Sequence, residues 1–448
     1  MNKISIIDAP CGAGKTSWAI QEMERHPEQP YIYCTPLLSE IKRIREACSN
    51  HRFQEPHNYE QTKIDDFNDL LERQVDIAVT HSTFLNATPQ TIDLIQRGHY
   101  EVFIDEAVDI LAEFNKTHLV KDAKEQTVTE GDVQKLLDGK FIEIDPETHR
   151  VKWIGRHYDD GKYTVFEQLA RMNRIYWIRE KMMVCIFPPE IFSAFSSTTV
   201  LTYLFEGSPL SSYFDLFGHT YEKKTVCRFD DEYALAAFTP DSDAWFRENA
   251  QALISVCDSK SLNDYGRYAL SRSWYDRNAK KEGGAQLKRH LEYYFRKVAN
   301  AKASRLVGEG DLRQTEIMWT CYKDFQTDIS GKGFTRARQL TKGELDLPKN
   351  DREALEKRLS CFVPNNARAT NDYRDRWALA YCCNMYYPDM LKALFADNGI
   401  DFDDDKFALS CLIQWIYRSR IRDGLPITLY LPSVRMRKLY FDWLNGVM

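Results

Sequence analysis

The stretch Ala9-Pro10-Cys11-Gly12-Ala13-Gly14-Lys15-Thr16 places two glycines, a lysine and a threonine directly after the apolar run ISII. Glycines at this spacing let a backbone turn with its N–H groups pointing inward at phosphate oxygens. Lys15 would then reach the β- and γ-phosphates of a bound nucleotide, and the Thr16 hydroxyl would hold Mg²⁺. A nucleotide site also needs an acid for the metal and a base for water. Asp105 and Glu106 in YEVFIDEAVDIL supply that pair. Asp105 would hold the metal through its water shell, and Glu106 would orient and deprotonate the attacking water. Together the two motifs predict nucleoside triphosphate hydrolysis, because a nucleoside kinase has no use for a water-activating glutamate.

Chemistry of this kind needs a scaffold. Ile4 to Asp8 reads as a short buried strand and Ser17 to Arg25 as the helix after it, the strand–turn–helix context a phosphate loop requires. Val102 to Ile104 reads as a second buried strand that ends at the acid pair. Near the C-terminus, QWIYRSRIRDG puts Gln414, Arg418 and Arg422 at i, i+4 and i+8, on one face if the segment is helical, with Arg420 turned elsewhere. The strand ITLYLPS, Ile427 to Ser433, follows it.

In this order the motifs resemble superfamily 2 helicases, in particular the DEAD/DEAH-like helicases found in phages. The resemblance rests on the phosphate loop, on DEA at 105–107, on Thr35-Pro36 in YIYCTPLLSEI and on Thr80, His81 and Ser82 in IAVTHSTFL. It rests also on VLTYLFEGS, Val200 to Ser208, on FVPNNARATNDYRDR, Phe362 to Arg376, and on the late arginine motif. It implies an α/β fold of two RecA-like domains with parallel sheets, ATP in the cleft between them, a β-hairpin/helical insertion and a helical insertion.

By this resemblance Ala9, Pro10, Cys11, Gly12, Ala13, Gly14, Lys15, Thr16, Ser17 and Arg420 bind ATP. Thr16 and Asp105 hold Mg²⁺, and Lys15, Glu106, Gln414, Arg418 and Arg422 act in catalysis. Thr35, Pro36, Thr80, His81, Ser82, Arg368, Thr370 and Asn371 meet nucleic acid. The family's usual spacing sets arginines at +4 and +7 from the glutamine. Here +7 is Ile421, flanked by Arg420 and Arg422, and the finger is assigned to Arg418 and Arg422 with Arg420 as the alternative. The acid motif reads DEAV, which specifies neither named class.

The implied activity is ATP-dependent movement along, or unwinding of, nucleic acid, DNA ahead of RNA, single-stranded or forked. Two other classes share parts of the pattern. A phage packaging motor would add a nuclease with clustered carboxylates, and DFDDDK, Asp401 to Lys406, reads instead as a polar loop. A nucleotide-dependent protein switch would hydrolyse slowly without response to DNA or RNA.

The domains are expected at 1–225, with an insertion at about 140–190, at 226–310 as a mostly helical basic segment, and at 311–448. The insertion contains a predicted hairpin, Ile142–Asp145 and Val151–Ile154 about the turn PETHR, and a helical stretch Tyr163–Lys181. The last domain is expected to carry strands at Glu316–Lys323, Leu359–Pro364 and Ile427–Leu431, with helix at Asp375–Met385. From Arg277 to Arg305 nine Lys and Arg face two Glu, and Tyr293, Tyr294 and Phe295 lie among them, a mixture suited to phosphate contact and base stacking. Gly331 to Lys342 reads as a mobile basic loop.

Net charge of −6 excludes a uniformly basic nucleic-acid coat but not a local basic channel. Hydrophobic residues make up 43% of the chain, which excludes a disordered, solvated type. Eleven scattered cysteines, an odd number with no CxxC, read as reduced thiols in a cytoplasmic protein, in the host cytoplasm if phage-encoded. No signal peptide or membrane span is expected, and a monomer is favoured.

Overall fold

The computed structural model describes the chain except residues 1–2, 59–61, 117–126, 159–160, 231, 304, 308–311, 336–339, 341 and 367–371. It divides into two compact units. One comprises Met1–Ala9, Ala13–Ala237 and Tyr387–Asp403; the other comprises Pro10–Gly12, Phe238–Tyr386 and Asp404–Met448. Both are α/β and built on parallel sheets, as the sequence predicts. No described helix is long and apolar enough to cross a membrane.

The first unit carries a seven-stranded sheet. We name its strands β1 (Lys3–Asp8), β2 (Tyr31–Thr35), β3 (Ile77–Thr80), β4 (Glu101–Asp105), β5 (Ser197–Thr202), β6 (Tyr221–Phe229) and β7 (Glu232–Ala237). Their spatial order is β7-β6-β1-β5-β4-β2-β3. Only the β6–β7 pair is antiparallel. Ile6, Ile7, Ile32, Tyr33, Cys34, Ile104 and Val200 are all fully buried, because an interior parallel strand is covered on both faces and so reads as a continuous apolar run. Between β4 and β5 the chain leaves the sheet. Leu111–Glu113, Met182–Ile186 and Ile175–Ile178 form a three-stranded antiparallel sheet beside the hairpin Ile142–Ile144/Val151–Trp153. This insertion has its own apolar core around Phe114, Val133, Leu136, Trp153, Phe166 and Leu169.

The hairpin stands where the sequence predicts, closed by Asp145, whose carboxylate accepts from the N–H groups of Glu147 and Thr148. The helical stretch Tyr163–Lys181 is overturned: the helix runs only over Thr164–Arg171, and Ile175–Ile178 is a strand. Asn173, at φ 57°, takes the left-handed conformation that ends helices, and Arg174 N–H closes back on Leu169 O at 2.9 Å.

The second unit carries a four-stranded parallel sheet of β8 (Ile254–Val256), β9 (Ile317–Thr320), β10 (Ala378–Tyr381) and β11 (Ile427–Tyr430), in the order β8-β11-β10-β9. Two sequence expectations fail here. Asp375–Met385 is not helix, because Ala378–Tyr381 is an interior strand; its alanines favour helix locally, but backbone pairing on both sides decides. Leu359–Pro364 is not a strand: Leu359 ends the helix Lys349–Leu359, and Phe362 meets Trp319 in an isolated bridge. The region 226–310, expected as mostly helical, also supplies the end of β6, β7 and β8. Much of the expected basic loop Gly331–Lys342 lies outside the described residues.

The aromatics of the basic tract divide. Tyr294 and Phe295 are fully buried and face the core, Tyr294 stacking on Tyr430 and Phe295 on Phe334. They offer no face to a base. Tyr293 is 55% exposed.

Candidate nucleotide site

The loop after β1 follows from its glycines. Gly12 and Gly14 have φ of +83° and +95°, a region strained for any residue with a Cβ. At Gly14 a Cβ would in addition stand 2.0 Å from a ring carbon of Tyr233. The 11-residue helix Lys15–Arg25 starts directly after Gly14, which supplies no side-chain cap, and its first turn carries no acid. An uncapped, acid-free helix start is an anion-binding end. Ala9 N–H donates to Thr202 O at 3.0 Å, which seats the loop on the neighbouring β5.

Lys15 is buried at the base of the loop, and its ammonium donates to Ala9 O at 2.6 Å. Asp105 ends β4 one strand over from β5, which lies between it and β1: Leu201 pairs with Asp105, and Thr202 with Asp8. Asp105 is buried. Burial, reinforced by the adjacent Glu106 and opposed by Lys15, pushes its carboxyl up to about 7. Glu106 leaves the strand at φ 65°, with its N–H donating to Leu201 O at 2.9 Å. That conformation costs a non-glycine residue about 1 kcal/mol and turns the side chain out of strand register. The carboxyl ends of β1, β5 and β4 thus bring Lys15, Asp105 and Glu106 to one rim of the sheet, where open α/β sheets bind ligands.

One residue that sequence reasoning missed completes this rim. Asp8 is buried, and its two carboxylate oxygens accept from Leu204 and Phe205 N–H, each at 2.9 Å. Burial raises its carboxyl to about 6, against those two bonds and Lys15. The signal was an acid closing an otherwise apolar strand. His81, predicted to meet nucleic acid, is buried instead, with Nε2 2.9 Å from Asp105 O.

The other predicted nucleic-acid contacts divide likewise. Thr35 is fully buried. Thr80 caps the short helix His81–Phe84, accepting from Thr83 N–H, while Ser82 is exposed and Pro36 half-buried. Arg368, Thr370 and Asn371 lie outside the described residues.

The predicted helical face through Gln414, Arg418 and Arg422 does not form. The helix Asp404–Ile416 ends before Arg418. Ser419 is extended, its hydroxyl donates to Ile416 O at 2.7 Å, and Arg420 N–H leaves the helix pattern for Arg376 O at 3.0 Å. Arg420–Asp423 then forms a separate 3₁₀ turn closed by Gly424 at φ 71°. Arg418 is buried and its Nε donates to Gln414 O at 3.1 Å. Arg420 donates to Pro426 O at 2.6 Å over the Trp377 ring, and Arg422 is exposed. A fully buried arginine, Arg376, was not foreseen; it donates to the carbonyls of Thr315, at 3.0 Å, and Arg358.

The residues present fit a nucleoside triphosphate with a divalent cation. A buried ammonium, a left-handed glycine loop and a helix start suit the phosphates; a buried carboxyl beside a second acid, with the Thr16 hydroxyl, suits the cation.

Comparison with known proteins places this chain beside a phage-derived relative. Residues 248–444 match the family described as the YonV C-terminal Rossmann-like domain. Over 460 residues the chain is 28% identical to the SPbeta prophage-derived uncharacterized protein YonV of Bacillus subtilis (strain 168), covering 100% of both. Among solved structures, an XPD helicase aligns with a TM-score of 0.46 at 13% identity, over 100% of this chain and 95% of that one. An apo XPD structure aligns at 0.49 and 13%, over 100% and 96%. Xpd4 of S. tokodaii aligns at 0.47 and 11%, over 99% and 94%.

Proposed function

We propose that the protein is an ATP hydrolase of the superfamily 2 helicase type that couples turnover to movement along, or unwinding of, nucleic acid. The observation that supports this most directly is the rim of the first sheet: a buried Lys15 beneath a left-handed glycine loop, with Asp105 and Glu106 ending a parallel strand one position beyond β5. Binding motifs without a water-activating acid would suit a switch; the acid pair favours hydrolysis.

In the proposed reaction the loop N–H groups and the helix start hold the phosphates, and Lys15 balances the charge that grows on the β–γ bridge. Mg²⁺, when bound, neutralises phosphate charge. Thr16 and Asp105 would hold it. Glu106 orients the attacking water and accepts its proton. Gln414 and the arginines Arg418 and Arg422, with Arg420 as the alternative finger, would stabilise the transferring phosphoryl group. Nucleic acid, DNA ahead of RNA, is the track, and Pro36, Thr80 and Ser82 are its candidate contacts on the first unit. The name of the prophage-derived relative suits a phage-encoded enzyme in a host cytoplasm.

The test is ATP turnover measured side by side without nucleic acid and with single-stranded DNA, duplex DNA and RNA. Hydrolysis stimulated several-fold by one of these is expected. A protein that hydrolyses no nucleoside triphosphate under any of the four conditions refutes the proposal.

A further inference from the structure

The phosphate end of the candidate site leaves open what holds the base. The sheet itself gives a direction. The acid pair lies on the β5–β4 side of β1, and the γ-phosphate must face it. With the γ-phosphate turned toward the acid pair, the α-phosphate, the sugar and the base would leave the loop on the opposite side of β1, where β6 and β7 stand.

An aromatic residue waits on that side. Tyr233, on β7, lies so close to Gly14 that its ring occupies the space a Cβ there would need. Its main-chain N–H donates to the Gln21 carboxamide at 3.0 Å, which ties β7 to the helix that follows the loop. Like Ala13, Ile20 and Leu235, it packs against the core of the first unit, yet the residue stays partly exposed. Its cross-strand partner is Arg228, whose guanidinium stands 5.8 Å from the ring centroid. The ring is partly exposed, held by backbone pairing, with a guanidinium beside it and the phosphate loop against it. Edge strands seldom expose aromatic rings without purpose, since an exposed apolar edge invites pairing with other chains.

From this geometry we infer that Tyr233, with Arg228, is the platform on which the purine base of the nucleoside triphosphate stacks, and that it sets base preference. The inference rests on the proposed hydrolase reading. A flat π-face favours the larger purine ring over a pyrimidine, and the guanidinium adds cation–π attraction. Stacking of a base on an aromatic ring is worth about 5- to 100-fold in affinity.

The experiment compares steady-state hydrolysis of ATP, GTP, CTP and UTP by wild type, Tyr233→Phe, Tyr233→Leu and Arg228→Ala in the full chain. Tyr233→Leu keeps the bulk against Gly14 and loses the π-face, and thermal melting verifies that it folds. Expected are a KM for ATP raised about tenfold in Tyr233→Leu with kcat within about threefold, a purine-to-pyrimidine preference in kcat/KM that collapses toward one, near wild-type behaviour in Tyr233→Phe, and a smaller KM rise in Arg228→Ala. A Tyr233→Leu protein with the wild-type KM and the wild-type base order overturns the assignment, as does a Tyr233→Phe protein impaired as much as Tyr233→Leu. Wild type that hydrolyses all four triphosphates with equal kcat/KM overturns it too, while leaving the hydrolase reading intact; wild type that hydrolyses none removes the hydrolase reading instead.

Discussion

His81 Nε2 lies 2.9 Å from the main-chain oxygen of Asp105, so a residue at the end of β3 reaches across β2 to brace the end of β4. The brace acts on the turn in which Glu106 adopts its left-handed conformation. His81→Ala is expected to leave nucleotide affinity within about threefold and to lower turnover at least tenfold, because the general base loses its support. Equilibrium binding of a non-hydrolysable ATP analogue beside kcat checks this; an unchanged kcat refutes it.

Glu106 permits a test in which stability and activity move apart. Glu106→Gly relieves the φ of 65° and is expected to hold or raise the thermal midpoint, while removing the proton acceptor drops turnover by about 10²- to 10⁴-fold. Glu106→Gln should lose the same turnover without the gain in stability. Melting curves and turnover on both variants decide, and a glycine variant that melts well below wild type would contradict the strain.

Asp8 makes a prediction about pH. Its folded carboxyl, at about 6, sits above the ordinary 3.8, so between these values the folded chain holds a proton that the unfolded chain has released. Its contribution to stability is complete at the acid end, falls as pH rises from about 4 to about 6, and is constant above that. At 1.36 kcal/mol per unit the loss is about 3 kcal/mol. Asp8→Asn removes this titration. Urea unfolding at pH 4.5 and 7.5 should therefore show the variant losing less stability than wild type across the interval, and equal losses in both proteins would count against the buried acid.

Arg376 is fully buried and its guanidinium serves main-chain carbonyls of Thr315, Ile317 and Arg358. Arg376→Met keeps the length and strands these acceptors, at a cost of about 3–5 kcal/mol. Arg376→Lys should recover little, since one ammonium cannot serve a planar fork of partners. The urea midpoint of the second unit measures both variants.

The finger assignment is separable by substitution. Arg422→Ala is expected to keep ATP binding and to lose about 10³-fold in turnover. If Arg420→Ala is the crippled variant, the +6 position carries the role. Lys15→Ala should abolish turnover in a chain that still folds, and undiminished hydrolysis in that variant would dismiss the site.

Much of the first unit was legible because its signals are local. An apolar run closed by Asp8, two glycines and Lys15 specify a strand, a left-handed turn and a helix with no help from the rest of the chain, and all three stand where the sequence puts them. Asp105 at a strand end is legible for the same reason. Ala378–Tyr381 was misread because its alanines favour helix while its pairing partners lie some sixty residues before and fifty after it. The Gln414–Arg422 face failed on a distant partner, as Arg420 N–H pairs with Arg376 O at 3.0 Å instead of continuing the helix that spacing alone would extend.

Residue order alone determined the phosphate loop, the acid pair and the alternation of strands and helices, since each depends on backbone preferences and burial patterns within a few residues. Tertiary structure alone decided that β5 separates the lysine strand from the acid strand, that Asp8 holds the 204–205 turn, that His81 turns inward to Asp105, and that Tyr233 lies over Gly14. Those relationships join residues 24 to more than 200 positions apart, and no local preference encodes them; they exist only once strand pairing has brought the segments to the same rim.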